Sequence, residues 1–154
     1  MPQQRAATLA TIFSDVLADL AFMFTDDAHE DPAADDPWLE TSIGYRGKYN
    51  GDLHFRCTRS FTYLLAANLL GAEPGGEDAV NSADDAAKEF MNIVCGQLVT
   101  ALHGSEDIFN LTIPEISTMT ETPDLSLDDG DNVSTISAEG HRIQLIFQRG
   151  ATDA

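Results

Sequence analysis

Apolar and polar residues follow one another along this chain with two different periods, and each change of period marks the border of a predicted element. The first segment has apolar residues three and four positions apart, which predicts an amphipathic helix over about residues 3–24. Its apolar stripe consists of Leu9, Ile12, Phe13, Val16, Leu17, Leu20 and Phe24. Residues 25–37 are acidic and contain two prolines, so we expect a solvated loop there.

Two later segments alternate between apolar and polar residues with period two, which predicts β-hairpins that each have one dry face. The first hairpin turns at residues 47–51, and the second joins residues 133–138 to residues 142–148 through Glu139 and Gly140. The dry faces carry Ile43, Tyr45, Leu53, Phe55 and Cys57 in the first hairpin, and Ile143, Leu145 and Phe147 in the second.

Helical spacing returns between the two hairpins. A short helix is predicted over about residues 60–70, because Gly71 can adopt the left-handed conformation that ends a helix. A long helix is predicted from Ser82 to about Leu102. Ser82 with Asp85 forms a variant of the capping box, and acidic residues favour the positive end of the helix dipole.

The order of elements is helix, hairpin, helix, helix, strand, hairpin. This order predicts an α+β fold, with an antiparallel sheet and long helices packed on one face of it. A chain of 154 residues that is 43% apolar suits a single domain over residues 1–154. The segments that complete it are a strand at 109–113, a polar flexible stretch at 117–131 and a tail at 149–154.

The charge of the chain narrows its possible partners. Eight basic and twenty-six acidic residues give a formal net charge of −18, which argues against nucleic acid and against anionic membrane surfaces. No apolar run approaches the roughly 20 residues that span a bilayer, and no signal peptide is evident, so a cytoplasmic protein is expected. Cys57 and Cys95 are the two cysteines, and we expect both to be small buried hydrophobic residues.

Candidate chemistry lies on the long helix. Glu89, Asn92, Gly96, Val99 and His103 are predicted on its solvent face, opposite the apolar residues that must be buried. Residues of these types on the outer face of an amphipathic helix can also be ordinary solvated residues without a function. However, asparagine is a poor residue inside a helix, and glycine costs about 1 kcal/mol relative to alanine. Two unfavourable residues on one stripe indicate a function for it.

The pattern Glu89-x-x-Asn92-x-x-x-Gly96, followed by Leu111-Thr112-Ile113-Pro114, resembles the motif and downstream proline of the CheX/CheC family of response-regulator phosphatases. Residues 42–57 and 64–71 are similar to the glycine-bounded hairpin of that family and the helix after it. CheC-type members usually carry two motifs. The first helix here offers only Asp15 to Asp19 without an asparagine at the required offset, which favours the CheX type.

The resemblance implies a phosphatase that hydrolyses the aspartyl phosphate of a CheY-like receiver domain. It implies that Asn92 orients the attacking water, that Glu89 pairs with the receiver lysine, and that Asp85, Lys88 and Gly96 belong to the docking helix. The protein would need no cofactor or metal of its own, because Mg²⁺ arrives with the receiver. A homodimer joined through the sheet is also implied.

Two alternatives remain at this stage. One is a non-catalytic receiver-binding or scaffold module of a two-component or flagellar signalling complex, which would bind the phosphorylated receiver without shortening its lifetime. The other is an acidic protein that binds a small ligand or a cation. The segment from Asp124 to Gly130 is similar to a calcium loop, but its glycine is at position seven and Thr135 replaces the final glutamate, so a solvated turn is favoured. The histidines lack zinc-ligand spacing.

Overall fold

The computed structural model describes residues 3–26, 31–73, 75–127 and 132–150 of the chain. Three helices occur in these ranges: α1 (Gln3–Ala21), α2 (Arg59–Leu70) and α3 (Glu77–His103). The strands are β1 (Thr25–Asp26), β2 (Trp38–Arg46), β3 (Gly51–Thr58), β4 (Asn110–Leu111), β5 (Glu115–Thr118), β6 (Val133–Ala138) and β7 (His141–Arg149). None of the described helices combines the length and apolar content that crossing a membrane requires.

The strands form one antiparallel sheet in the order β1-β6-β7-β3-β2-β4, with β5 also paired to β2. The two predicted hairpins are its centre, because β3 pairs with β2 on one side and with β7 on the other. Helices α1 and α3 pack against the dry face of these strands. The predicted α+β architecture, with long helices on one face of an antiparallel sheet, is therefore confirmed.

Three phenylalanines join the two long helices to the sheet. Phe13 of α1 meets Phe55 of β3 with ring centroids 5.2 Å apart and Phe90 of α3 with centroids 5.0 Å apart, both edge to face. Phe55 and Phe90 are 6.4 Å apart, and all three rings are buried. Edge-to-face contacts among buried rings add stability beyond the area that they remove from water.

The other face of the sheet is crossed by a segment that the sequence predicted as flexible. This segment begins as β5, and Met119 N–H donates to the carbonyl of Trp38. Arg56 donates to Glu40 Oε2 at 2.6 Å and to Gln144 Oε1 at 3.0 Å. Gln144 in turn donates to the carbonyl of Asp124 at 2.9 Å. The prediction of a flexible stretch over residues 117–131 was wrong for residues 117–127, because strand pairing and these hydrogen bonds hold them against the sheet.

Helix α1 is shorter than its apolar stripe predicts. Phe22 has a positive φ of 54°, and Met23 N–H donates to the carbonyl of Leu17, so the helix closes at Ala21 with a left-handed cap. Phe24, beyond this end, is 60% exposed, and Leu20 in the last turn is 40% exposed, although the pattern placed both in the core. Thr25 and Asp26 of the predicted acidic loop form β1 instead, and residues 27–30 lie outside the described residues.

Helix α3 begins earlier than predicted. Its N-cap is Gly76, not Ser82, so the predicted capping box is wrong. The additional turns pack Ala79 against Ala66 and Ala67 of α2. The predicted strand at 109–113 is also reduced to the two residues of β4. The predicted left-handed stop at Gly71 is confirmed, with φ of 70°.

The first prediction concerns the core contact. Phe13→Ala is expected to lower the free energy of unfolding by about 3–5 kcal/mol, because it leaves a cavity between Phe55 and Phe90. Leu20→Ala, on the same helix but 40% exposed, is expected to cost about 1 kcal/mol or less. Chemical denaturation measures both, and equal losses for the two variants would contradict the packing described.

Candidate functional site

The rotation of α3 places Glu89 and Asn92 outside the core. Phe90 and Met91 lie between them in sequence, and each is 1% exposed. At about 100° per residue, two adjacent buried residues direct their neighbours on either side to the opposite face. Glu89 is exposed and Asn92 is half-buried. The predicted display of a carboxylate beside an amide is therefore present, with Cβ atoms about 5–6 Å apart as for any such pair.

Both functional groups are available to an external partner. Within the described ranges, neither the Glu89 carboxylate nor the Asn92 amide has a hydrogen bond or an ion pair. A side-chain amide carries two donors and one acceptor oxygen, and can therefore hold a water molecule in a defined orientation. A helix fixed by its core face also keeps such a group in place, which reduces the entropy lost when a partner binds.

The motif stripe continues towards the C-terminus as a shallow groove. Its volume is about 580 Å³, and we name it the α1–α3 groove. Asn92, Ile93, Gly96, Gln97 and Thr100 of α3 line it together with Ile12 of α1. Sequence reasoning did not identify Gln97 or Thr100, and assigned Ile12 only to the core stripe. A single-helix pattern cannot show where a neighbouring helix leaves a gap.

Two residues predicted on the solvent stripe are elsewhere. Val99 is only 6% exposed and belongs to the core. His103 lies between two aromatic rings, stacked on Tyr49 with centroids 4.4 Å apart and on Phe109 with centroids 5.3 Å apart. The exposed face of α3 therefore follows the predicted stripe only as far as Gly96. Beyond it, His103 fixes the end of α3 to Tyr49 of the first hairpin.

Gly96 is not required by packing within the chain. A Cβ atom built at this position would meet no other atom within 4 Å. The Thr100 hydroxyl donates to the carbonyl of Gly96 at 3.1 Å, which any residue at position 96 would permit. A glycine that costs helix stability without relieving a contact is consistent with a surface that another molecule approaches closely.

Towards the N-terminus, α3 borders a second, charged groove against α2, lined by Arg59, Tyr63, Asp84, Asp85 and Lys88. Arg59 donates to Asp84 Oδ1 at 2.6 Å and ties the two helices together. Lys88 makes no ion pair in the described ranges and is half-buried next to Glu89. A free ammonium group beside the candidate pair is notable on a chain whose net charge is −18.

The rival sites have ordinary structural explanations. Asp124 accepts hydrogen bonds from the hydroxyl and the N–H of Ser126, and the Ser126 side chain is the main cause that lowers the pKa of Asp124. Residues 128–131 of the calcium-like segment lie outside the described residues. Among the described residues no group of three His, Cys, Asp or Glu side chains could hold a metal ion.

Neither cysteine is an activated nucleophile. Both are free and buried. Burial raises the pKa of Cys95 to about 12 and raises the pKa of Cys57 still further. A thiolate, the reactive form, is therefore disfavoured at both positions, and the prediction that the two residues act as small hydrophobic groups is confirmed.

Solved chemotaxis proteins share this fold. CheX from Desulfovibrio desulfuricans has a TM-score of 0.66 and 17% identity, over 96% of this chain and 99% of its own. CheX from Vibrio vulnificus has a TM-score of 0.64 and 16% identity, over 94% of this chain and 99% of its own. A CheX–CheY–BeF₃–Mg²⁺ complex from Borrelia burgdorferi has a TM-score of 0.62 and 17% identity, over 94% of this chain and 97% of that one.

Comparison with curated protein sequences gives no match. The family described as chemotaxis phosphatase CheX matches residues 40–137, which is more than half of the chain. This region runs from within β2 into β6, and it includes the helix that displays Glu89 and Asn92. The chain therefore belongs to the CheX family of chemotaxis phosphatases.

Proposed function

We propose that this chain hydrolyses the aspartyl phosphate of a CheY-like response regulator, with Asn92 positioning the attacking water. The observation that carries the proposal is the unpartnered amide of Asn92 beside the unpartnered carboxylate of Glu89 on a helix fixed by its core face. A relative of the same fold was solved as a complex with CheY, BeF₃ and Mg²⁺, which supports a receiver domain as the partner.

The reaction places few demands on this protein. The oxygen of water attacks phosphorus, the bond between phosphorus and the receiver aspartate breaks, and the proton of the water ends on the released phosphate. The leaving group is a carboxylate with an ordinary pKa of about 3.9, so it needs no general acid. The receiver brings the Mg²⁺ that offsets the charge of the phosphoryl group.

Asn92 would act by geometry. An amide does not titrate in the physiological range, so it cannot serve as a general base. It can accept a hydrogen bond from water and hold the oxygen in line with the bond that breaks. Positioning of this kind is a large part of catalysis in phosphoryl transfer.

Glu89 would fix the pose of the receiver. An exposed carboxylate one helical turn from Asn92 is placed to pair with the receiver lysine. Asp85 and Lys88 extend the docking surface along the same helix, and the free ammonium group of Lys88 can pair with a carboxylate of the partner. Gly96 would let the backbone of α3 approach the receiver closely.

A homodimer is proposed through the edge of the sheet. Strand β6 pairs with β7 along its length but with β1 only at Ser137 and Ala138. Val133 to Ile136 thus have an edge with no strand partner in the described part of the chain. Two copies could pair these edges antiparallel across a two-fold axis.

Asn92→Ala is expected to lower the turnover number by about a hundredfold, because the attacking water loses its orientation. A time course of phosphate loss from phosphorylated receivers, with catalytic amounts of this protein, measures the effect. Circular dichroism and the melting temperature should remain those of the parent chain, since the side chain makes no intramolecular hydrogen bond in the described ranges.

Asn110→Ala is the matched control, because Asn110 is an exposed asparagine on β4, outside the motif and outside both grooves beside α3. Glu89→Ala should weaken both docking and turnover. Unchanged phosphate release by a folded Asn92→Ala variant would reject the assignment. Stoichiometric binding of phosphorylated receiver, without any shortening of its lifetime by the parent chain, would establish the scaffold alternative instead.

Gly96→Ala is expected to have opposite effects on stability and activity. The free energy of unfolding should rise by about 0.5–1 kcal/mol, because alanine favours the helix and its methyl group enters open space. The rate of receiver dephosphorylation should fall, because the methyl group stands between the two proteins. Ser82→Ala, on the same helix away from the motif, should leave the rate unchanged. A stabilised Gly96→Ala variant with full activity would remove Gly96 from the docking surface.

The dimer prediction is tested by sedimentation equilibrium. The parent chain is expected at twice its monomer mass in the micromolar range. Val133→Lys should shift the equilibrium towards monomer, because a charged side chain at a sheet edge opposes edge pairing. Thr118→Lys places the same charge on β5 and should leave the mass unchanged. A parent chain of monomer mass would contradict the proposal.

A further inference from the structure

We propose that the α1–α3 groove is a specificity pocket, which takes an apolar side chain of the phosphorylated receiver beside its aspartyl phosphate. This inference rests on the proposed function and names the part of the partner that this surface recognises. Ile12 becomes a partner-contacting residue from outside the motif helix.

The lining of the groove selects an apolar occupant. Ile12 and Ile93 are half-buried and contribute its apolar wall, while Gly96 and Ala101 add no bulk above it. Among the lining residues whose side chains the structure describes, none is ionisable. An ionic group would find no counter-charge among these described residues, whereas an apolar side chain would remove the two isoleucines from water.

The position of the groove identifies the occupant as the receiver. Asn92 lines the groove and is also the residue proposed to hold the attacking water. Gly96 follows one turn later, about 6 Å along the helix axis at 1.5 Å per residue. A receiver whose phosphoryl group lies at Asn92 must therefore cover the groove, and the open space above Gly96 leaves room for its surface.

The two grooves beside α3 differ in charge, and this difference sets the orientation in which the receiver docks. The groove near the N-terminal half carries Asp85 and Lys88, while the described lining of the groove near the C-terminal half has no charged side chain. The receiver should therefore place charged groups against the first and an apolar side chain against the second. A partner that lacks either feature would bind more weakly, which is how one receiver is distinguished from another.

The test fills the groove without touching the core. Ala101 is exposed and lines the groove, so Ala101→Trp should occupy it and leave the fold intact. The KM for phosphorylated receiver is expected to rise about tenfold with kcat within about twofold, because docking is impaired while the water site is not. Ile108→Trp, at an 87% exposed isoleucine outside the groove, is the matched control and should leave both constants unchanged.

Ionic strength and a second variant separate the groove from the charged surface. The KM increase of Ala101→Trp should be the same at low and high salt, while the increase caused by Lys88→Gln should shrink as salt screens it. Ile12→Ala should also raise KM. A double-mutant cycle against alanine substitutions of exposed apolar residues near the receiver aspartate should identify the partner side chain, because the effects of the two substitutions on KM should depart from additivity by more than about twofold.

The outcomes distinguish this inference from the proposed function. Loss of turnover in Asn92→Ala with normal KM for both Ala101→Trp and Ile12→Ala overturns the pocket and leaves the phosphatase assignment in place. A fall in kcat alone for Ala101→Trp also overturns it, because the groove would then act on Asn92 and not on docking. Full activity of Asn92→Ala defeats the phosphatase assignment itself.

Discussion

The contact among Phe13, Phe55 and Phe90 is the constraint on which the remaining structure depends. It joins α1, β3 and α3 at one point in the core, with ring centroids 5.0–6.4 Å apart. Phe90 follows Glu89 directly in sequence. The rotation of α3 that buries its ring therefore also sets the direction of the motif, and Glu89 and Asn92 cannot turn inward unless Phe90 and Met91 leave the core.

The same constraint explains how an unfavourable helix face is tolerated. Asn92 and Gly96 are both poor helix residues. Within the described ranges the Asn92 side chain gains no hydrogen bond or ion pair, and a Cβ atom at position 96 would meet no atom within 4 Å. Their combined cost of roughly 1–2 kcal/mol is smaller than the stabilisation from one well-buried aromatic ring. Because the core face of α3 is strongly anchored, the outer face can carry residues that serve a partner at some cost in stability. Functional surfaces in proteins commonly carry such a cost.

The sequence predicted best those features that depend on residues close together in the chain. Alternation in the two hairpins identified the sheet because one face is dry, as Leu53 and Leu145 show with at most 1% exposure. The motif face was predictable because Phe90 and Met91 are unmistakably apolar. The start of α3 was not predictable, because the turns before Ser82 are anchored by alanines such as Ala79, which give a weak apolar signal.

The remaining errors come from contacts between distant segments. Strand β5 depends on pairing with β2, more than seventy residues earlier, and its own sequence is polar. The end of α1 depends on a left-handed Phe22, a residue that gives no stop signal. The α1–α3 groove depends on the spacing of two helices, so the role proposed for Ile12 has no counterpart in a periodic pattern.

The net charge of −18 makes short-range contacts decisive for the proposed complex. A phosphorylated partner adds negative charge at the point of contact, and the acidic chain repels it there. Salt limits the repulsion to about 8 Å at physiological ionic strength. Beyond that distance the two proteins approach with little electrostatic repulsion. Within it, the complex must be stabilised by Lys88 and by apolar contact, since neither requires a positive field around the whole molecule. The groove beside Asn92, whose described lining has no charged side chain, would provide such contact where the acidic surface opposes it.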